Sequence, residues 1–202
     1  LADIKTAERL RCYGMAVLTA NTAQREDKVI EVNWLSHKFI QAQCEALKHI
    51  EFKAIKIGIV HNVEMLTHVI EITTKYWPKA TVIWDPVLKA SDNTSFFDFD
   101  SKTDYNNILP KISIITPNSI ELSWLSNLVN LEDSLDLLRT KTNIYLTGGH
   151  NKDKIGVDYF ADKSGVKKSN PKAGTYTPKH GSGCILSTAL ASNIALDFPM
   201  HL

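Results

Sequence analysis

Apolar residues along the chain fall into two alternating patterns. Residues 15–19 form a short apolar run with the look of a buried strand, and residues 55–60, 81–84, 112–116 and 143–147 are further short strand-like runs rich in apolar residues. Between them the apolar positions recur at helical spacing. Leu35, Phe39, Ala42, Ala46 and Ile50 form one face of a helix over residues 33–50, with Asn33 as its N-cap. Val63, Leu66, Ile70 and Trp77 repeat the pattern after Asn62, a second N-cap, and Pro78 ends that helix. Short helices are expected over 120–128 and 131–138, and a last one over 184–196. Residues 157–161 and the segment near Val166 read as a hairpin. Strands alternating with helices predict an α/β protein with a mostly parallel central sheet and helices on both faces. Residues 89–105 lack periodicity and are rich in Ser, Asp and Asn, the pattern of a mobile loop or a lid.

Composition narrows the range of partners. The 202 residues are 44% hydrophobic and 22% charged, an ordinary globular mix, and the length favours one domain over two. No linker, internal repeat or low-complexity tract is seen. Against 23 Lys and Arg stand 22 Asp and Glu, a net charge of +1, which is no footprint for a nucleic acid or an anionic membrane. The most apolar long stretch, residues 184–198, is too short to span a bilayer and contains Ser187, Thr188, Ser192, Asn193 and Asp197. The first residues lack the basic flank and apolar core of a signal peptide. Cys12, Cys44 and Cys184 are few, odd in number and far apart, so they predict neither a disulfide framework nor a zinc cluster. They fit a reducing, cytoplasmic compartment. His61, His150 and His180 lie near strand or loop ends without metal-ligand spacing.

In an open parallel sheet, ligands bind beyond the carboxyl ends of the strands. Polar punctuation falls there repeatedly: Asn21-Thr22-Ala23-Gln24, then Gly58 with His61-Asn62, then Asp85, Asn118, and Gly148-Gly149-His150. Any one of these reads better as a turn; five along one edge are how a site would be assembled. The sharpest local signal is His180-Gly181-Ser182-Gly183-Cys184, a glycine-rich turn opening a helix of small residues. Free amides at a helix N-terminus, reached closely across glycines, suit a phosphate that gains charge during transfer. The loop has neither the Gly-Lys-Ser/Thr of a Walker motif nor a G-x-G-x-x-G fingerprint. Asn118 and Glu121 share a helix face, where they fit either a Mg²⁺ site or a capping box; spacing alone favours the cap.

Taken in order, these motifs resemble the ribokinase-like superfamily, and within it the hydroxymethylpyrimidine/phosphomethylpyrimidine kinases of thiamine biosynthesis. Ala2-Asp3-Ile4-Lys5-Thr6 is similar to the family's A-D-[IL]-K-T, and Tyr13-Gly14-Met15 with Thr19-Ala20-Asn21-Thr22-Ala23-Gln24 to its Y-G-M-x-x-x-T-A-x-T-A-Q. Lys56-Ile57-Gly58, Asp85-Pro86-Val87, Ile115-Thr116-Pro117-Asn118 with Glu121, Gly148-Gly149-His150 and His180 to Cys184 follow in the family's order. The matches run from Ala2 to about Ala195.

The resemblance implies a ribokinase-like three-layer sandwich forming a single kinase domain over residues 1–202. The family's N-terminal strand, its glycine-rich turn and one more C-terminal helix are expected outside this stretch. It implies ATP-dependent phosphorylation of 4-amino-5-hydroxymethyl-2-methylpyrimidine, and a second phosphorylation of the monophosphate. Asp3, Thr22, Gln24 and Gly58 would line the pyrimidine; the Gln24 amide both donates and accepts, which suits a ring nitrogen beside an amino group. Asp85 and Glu121 would hold Mg²⁺. Lys89, Asn118, Thr147, Gly149 and His180 would lie along ATP, and the Gly181, Ser182, Gly183 and Cys184 amides would form the anion hole. Many superfamily members carry an aspartate base at the Cys184 position. A thiol at a helix N-terminus has a lowered pKa, so Cys184 reads either as a proton acceptor or as a small packing residue. A homodimer is expected. Two other readings stay open: a pyridoxal-type kinase, which shares D-P-V and T-P-N-x-x-E, and a non-catalytic pyrimidine-binding module. The T-A-Q and H-G-S-G-C segments favour the pyrimidine kinase.

Overall fold

The β-branched runs pair side by side because each has apolar residues on both faces and so needs a cover on both. The computed structural model describes residues 2–25, 27–90, 92, 94–98, 105–148, 156–171 and 181–199. In chain order the elements are α1 (Ala2–Arg9), β1 (Ala20–Arg25), β2 (Lys28–Trp34), α2 (His37–Leu47), β3 (Ala54–Ile57), α3 (Val63–Tyr76) and β4 (Thr81–Trp84). After two 3₁₀ turns at Tyr105–Asn107 and Leu109–Lys111 come β5 (Ile114–Ile115), α4 (Ser119–Ser126), α5 (Leu131–Leu138), β6 (Asn143–Leu146), β7 (Asp158–Asp162), β8 (Gly165–Ser169) and α6 (Ser182–Ala195).

The main sheet has the order β3-β4-β5-β6-β7-β8. Its first four strands are parallel, with Lys56 opposite Ile83, Trp84 opposite Ile115, and Ile115 opposite Ile144. The hairpin β7–β8 extends it antiparallel. Side chains alternate across the sheet. Ile57, Val82, Trp84, Ile115 and Ile144 face a large core with Ile40 and Cys44 of α2, Leu66 and Ile70 of α3, Leu122 of α4 and Leu135 of α5. Ile83 and Ile114 point the other way, against Leu190 and Ala191 of α6. The expected helix layers on both faces are therefore present, and α1 lies against α6 with Ala7 buried.

Several boundaries agree with the sequence. Asn62 caps α3 through its side chain, β4 and α5 have the expected limits, and the expected hairpin is β7–β8. The second and fourth expected strands are shorter than their apolar runs, at Ala54–Ile57 and Ile114–Ile115. Two expectations need correction. Residues 15–19 are not a strand; the chain pairs further on, where β1 and β2 form a separate antiparallel ribbon with a register shift at Ala23/Gln24. Asn33 is not an N-cap, because pairing with Asn21 holds it inside β2. The cap of α2 is Ser36, whose side chain accepts from the Phe39 amide. Of the 89–105 stretch, the described start is tied down: Lys89 pairs with Ser95, and the Asp92 carboxylate accepts from the Val29 amide of β2 at 2.7 Å and from the Thr94 amide at 2.9 Å.

Candidate active site

The C-terminal ends of the parallel strands bring the predicted residues to one edge. Gly58 follows β3, Asp85 follows β4, and Pro117-Asn118 follows β5. Thr147 follows β6, where its amide donates to the Pro117 carbonyl at 2.9 Å. Asp85 is held by the sheet itself, its amide donating to the Ile57 carbonyl at 2.9 Å. Its side chain turns to the α6 face and accepts from the Ser187 hydroxyl at 2.9 Å.

Between Asp85 and Asp3 sits Lys56, a residue the sequence reading left without a role. Its Nζ donates to both Asp3 oxygens at 3.1 Å and lies 3.6 Å from Asp85 Oδ2. The lysine and Asp85 side chains are only 9% and 7% exposed, while Asp3 is 46% exposed. Thr188, next after Ser187 on α6, donates to Asp3 Oδ1 at 2.7 Å. Two consecutive hydroxyls of one helix thus hold the two carboxylates that share one ammonium. Burial works against the Lys56 charge, but the negative groups around it, with Asp85 and Asp3 ionised at neutral pH, outweigh it and hold the ammonium above its ordinary range. Burial pushes the Asp85 carboxyl up, against the pull of Lys56 and Ser187. An unpaired charge in such a place is costly, and the closed network satisfies each group.

The helix above this cluster begins at Gly181, which has φ 75°, a left-handed conformation that favours glycine. Among the described residues no side chain caps this terminus, and its first amides have no partner within the helix. Among the described residues, none comes within 4 Å of a Cβ built at Gly181 or Gly183. For Cys184 two readings stood open, a proton acceptor with a lowered pKa and a small packing residue. Burial, helped by the charges of Asp85 and Asp3, pushes its thiol up to about 11 rather than down. At neutral pH the group beside Asp85 is a thiol, not a thiolate.

Asn118 and Glu121 form the capping box. The Asn118 side chain accepts from the Ile120 and Glu121 amides, and Glu121 Oε2 accepts from the Asn118 amide at 2.8 Å. Burial pushes the Glu121 carboxyl up to about 7, and the Asp85 charge adds to this. Of the two expectations for this pair, the capping box is what the hydrogen bonds show. Among the described residues no group of three or more His, Cys, Asp or Glu side chains stands ready to enclose a metal.

Other expected contributors are distributed differently. Lys89 is exposed and lies over the Trp124 ring of α4, 5.6 Å from its centroid. Thr22 and Gln24 lie on β1, Thr22 half-buried and Gln24 exposed. That ribbon is rooted at the same sheet edge, since Thr19 donates to the Ile59 carbonyl and Trp34 stacks on His61 with centroids 4.8 Å apart. Gly148 is required sterically: a Cβ there would come within 2.2 Å of the Val157 carbonyl oxygen. Gly149, His150 and His180 lie outside the described residues.

A parallel sheet with this edge cluster beneath an open helix N-terminus is the arrangement of a ribokinase-like phosphotransferase. The chain belongs to the phosphomethylpyrimidine kinase family, whose profile matches residues 1–201. It is 29% identical over 209 aligned positions to the hydroxymethylpyrimidine/phosphomethylpyrimidine kinase of Rhizobium meliloti, covering 98% of this chain and 78% of that one. The Escherichia coli protein of the same name is 26% identical over 200 positions, covering 95% and 75%. The crystal structure of phosphomethylpyrimidine kinase from Clostridium difficile superposes with a TM-score of 0.82 at 28% identity, covering 99% of this chain and 85% of that one. Pyridoxal kinase from Staphylococcus aureus, solved with pyridoxal, shares the fold at a TM-score of 0.83 and 24% identity, covering 99% and 76%.

Proposed function

We propose that the protein transfers the γ-phosphoryl group of ATP to the hydroxymethyl group of 4-amino-5-hydroxymethyl-2-methylpyrimidine, and then phosphorylates the monophosphate, in thiamine diphosphate biosynthesis. The observation that carries this reading is the convergence of Asp3, Lys56 and Asp85 beneath the uncapped N-terminus of α6. One end of that cluster offers a half-exposed acceptor to a ring, and the other offers the first backbone amides of α6 to a phosphate.

Phosphoryl transfer runs through a loose transition state, so position and charge stabilisation matter more than covalent help from the protein. Asp85 and Glu121 suit Mg²⁺, which takes one or two carboxylates and completes its shell with water and phosphate oxygens; the charge of Asp85 is already felt at Glu121. Held there by Asp85 and Glu121, such an ion would supply positive charge to offset that of the phosphates. The amides of Ser182, Gly183 and Cys184 would receive the oxygens of the moving phosphoryl group, where a helix N-terminus is favourable to anions. Asp3 and Gln24 orient the ring so that its hydroxymethyl group faces that turn. Cys184 keeps its proton and serves as a compact neighbour of Asp85. Asn118, Thr147 and Lys89 flank the nucleotide.

Three free cysteines support a cytoplasmic setting, and no helix among the described residues is long and apolar enough to cross a membrane. Leu18, whose backbone is hydrogen-bonded to Gln43 of α2, and Phe39, one turn earlier on α2, are both exposed apolar side chains and support apolar contact between two copies. Sedimentation should then give twice the 22.6 kDa chain mass, and a monomer at micromolar concentration would exclude the dimer.

The deciding assay supplies Mg-ATP with the hydroxymethylpyrimidine, its monophosphate, or pyridoxal in separate reactions, and follows products by mass. The expected products are the pyrimidine mono- and diphosphates. Pyridoxal phosphate as the sole product would move the assignment to the sister enzyme.

A further inference from the structure

Asp3 is the acceptor offered to the ring, yet it stands on the first turn of α1 with nearly half its side chain exposed. Left alone, such a carboxylate samples several rotamers. Here it is fixed from two sides. Oδ1 accepts the Thr188 hydroxyl at 2.7 Å and Lys56 Nζ at 3.1 Å; Oδ2 accepts Lys56 at 3.1 Å. A carboxylate has about four acceptor positions, so roughly one remains, on Oδ2.

The two supports differ in what they can exchange for. Lys56 is also engaged with Asp85, so it ties the ring subsite to the phosphate subsite. Thr188 makes no other side-chain hydrogen bond among the described residues; its one proton goes to Asp3. Its neighbour Ser187 behaves differently, lying within reach of the Gly183 and Cys184 carbonyls as well as Asp85. Thr188 is 6% exposed on a helix packed against the sheet and against α1, so its hydroxyl has a fixed direction. Gly58 leaves room for the ammonium, since a Cβ there would press to 3.3 Å of Lys56 Nζ.

We propose that Thr188, with Lys56, is a positioning residue that locks Asp3 in one orientation and thereby makes the site selective for a ring bearing an N–H donor, such as an aminopyrimidine. This rests on the pyrimidine-kinase reading above. A fixed acceptor rejects a ring that lacks the donor because its lone pair is then desolvated without a partner, whereas a mobile acceptor turns to water and loses that discrimination.

The test compares steady-state phosphorylation of 4-amino-5-hydroxymethyl-2-methylpyrimidine and of its analogue without the 4-amino group, by the protein and by Thr188→Val and Thr188→Ser. Valine keeps the shape and removes the hydroxyl; serine keeps the hydroxyl. Thr188→Val should raise KM for the aminopyrimidine about tenfold, the order expected from one hydrogen bond to a charged acceptor. KM for the deamino analogue and for ATP should stay within about twofold, so that selectivity collapses, and Thr188→Ser should restore most of it. A merely structural role would lower the melting temperature and shift all three constants together, which overturns the proposal. So does an unchanged KM for the aminopyrimidine. Wild-type turnover separates the two layers: with turnover and no selectivity change only this inference falls, and without turnover on either pyrimidine the functional reading falls with it.

Discussion

Glu121 carries two jobs on one carboxyl, and they conflict. As the N3 residue of a capping box it accepts the Asn118 amide, yet it sits where burial and Asp85 oppose its charge and push its pKa to about 7. The sign of the consequence follows from linkage. The ordinary value is 4.5, so between 4.5 and about 7 the folded protein holds a proton that the unfolded chain has released. Stability therefore falls as pH rises through that window and levels off above it. At about 1.4 kcal/mol per unit, the loss from this group approaches roughly 3 kcal/mol at pH 8. Glu121→Gln, melted in metal-free buffer from pH 5 to pH 8, should lose less stability across the range than the wild type by about that amount. Parallel curves would show that the carboxyl is not raised in the native state. Asp85 is pushed the same way, which is why the difference between wild type and variant is the quantity to read.

The ribbon β1–β2 carries Thr22 and Gln24, the latter proposed above for the ring. It pairs with no strand of the main sheet; side-chain and loop contacts hold it there. Among these the Asp92 carboxylate takes the Val29 amide at 2.7 Å and draws the loop after Asp85-Pro86-Val87 onto the ribbon. Asp92→Ala should speed hydrogen exchange at the Val29 amide about tenfold, as expected for one such bond, and leave the β4 and β5 amides unchanged. Uniform acceleration, or none, would contradict this. The ribbon was also the least legible element. Its residues Ala20–Arg25 are half-buried or exposed along the whole strand, so no apolar alternation marks it. The apolar run before it suggested a strand because it is continuous, but no neighbouring strand pairs with it. By contrast Thr81–Trp84 and Leu131–Leu138 were read correctly because burial there dictates the pattern. For the site, Asp85, Asn118 and Glu121 stood out as strand-end polar residues. Lys56, Ser187 and Thr188 did not. Lys56 lies inside an apolar strand, Ser187 and Thr188 inside an apolar helix, and only the packing of α6 on the sheet brings them to the carboxylates.

At the scale of the molecule, two helical layers clamp the parallel sheet so that its strand ends cannot move independently. Ile83 and Ile114 lock α6 to the sheet on one face, and the larger core fixes Trp84 on the other. Asp85 lies one residue beyond that clamp and the α6 N-terminus lies above it. The central claim is that these parts form one phosphoryl-transfer site. The most direct measurement is the rate of hydroxymethylpyrimidine phosphorylation against Mg²⁺ concentration, for the protein and for Asp85→Asn, which keeps the shape and removes the charge. Losing a group aimed at transition-state charge costs about 100-fold or more in turnover, and the variant should also need more Mg²⁺ to reach half its maximal rate. An Asp85→Asn variant with the wild-type rate and the wild-type Mg²⁺ curve would contradict the account.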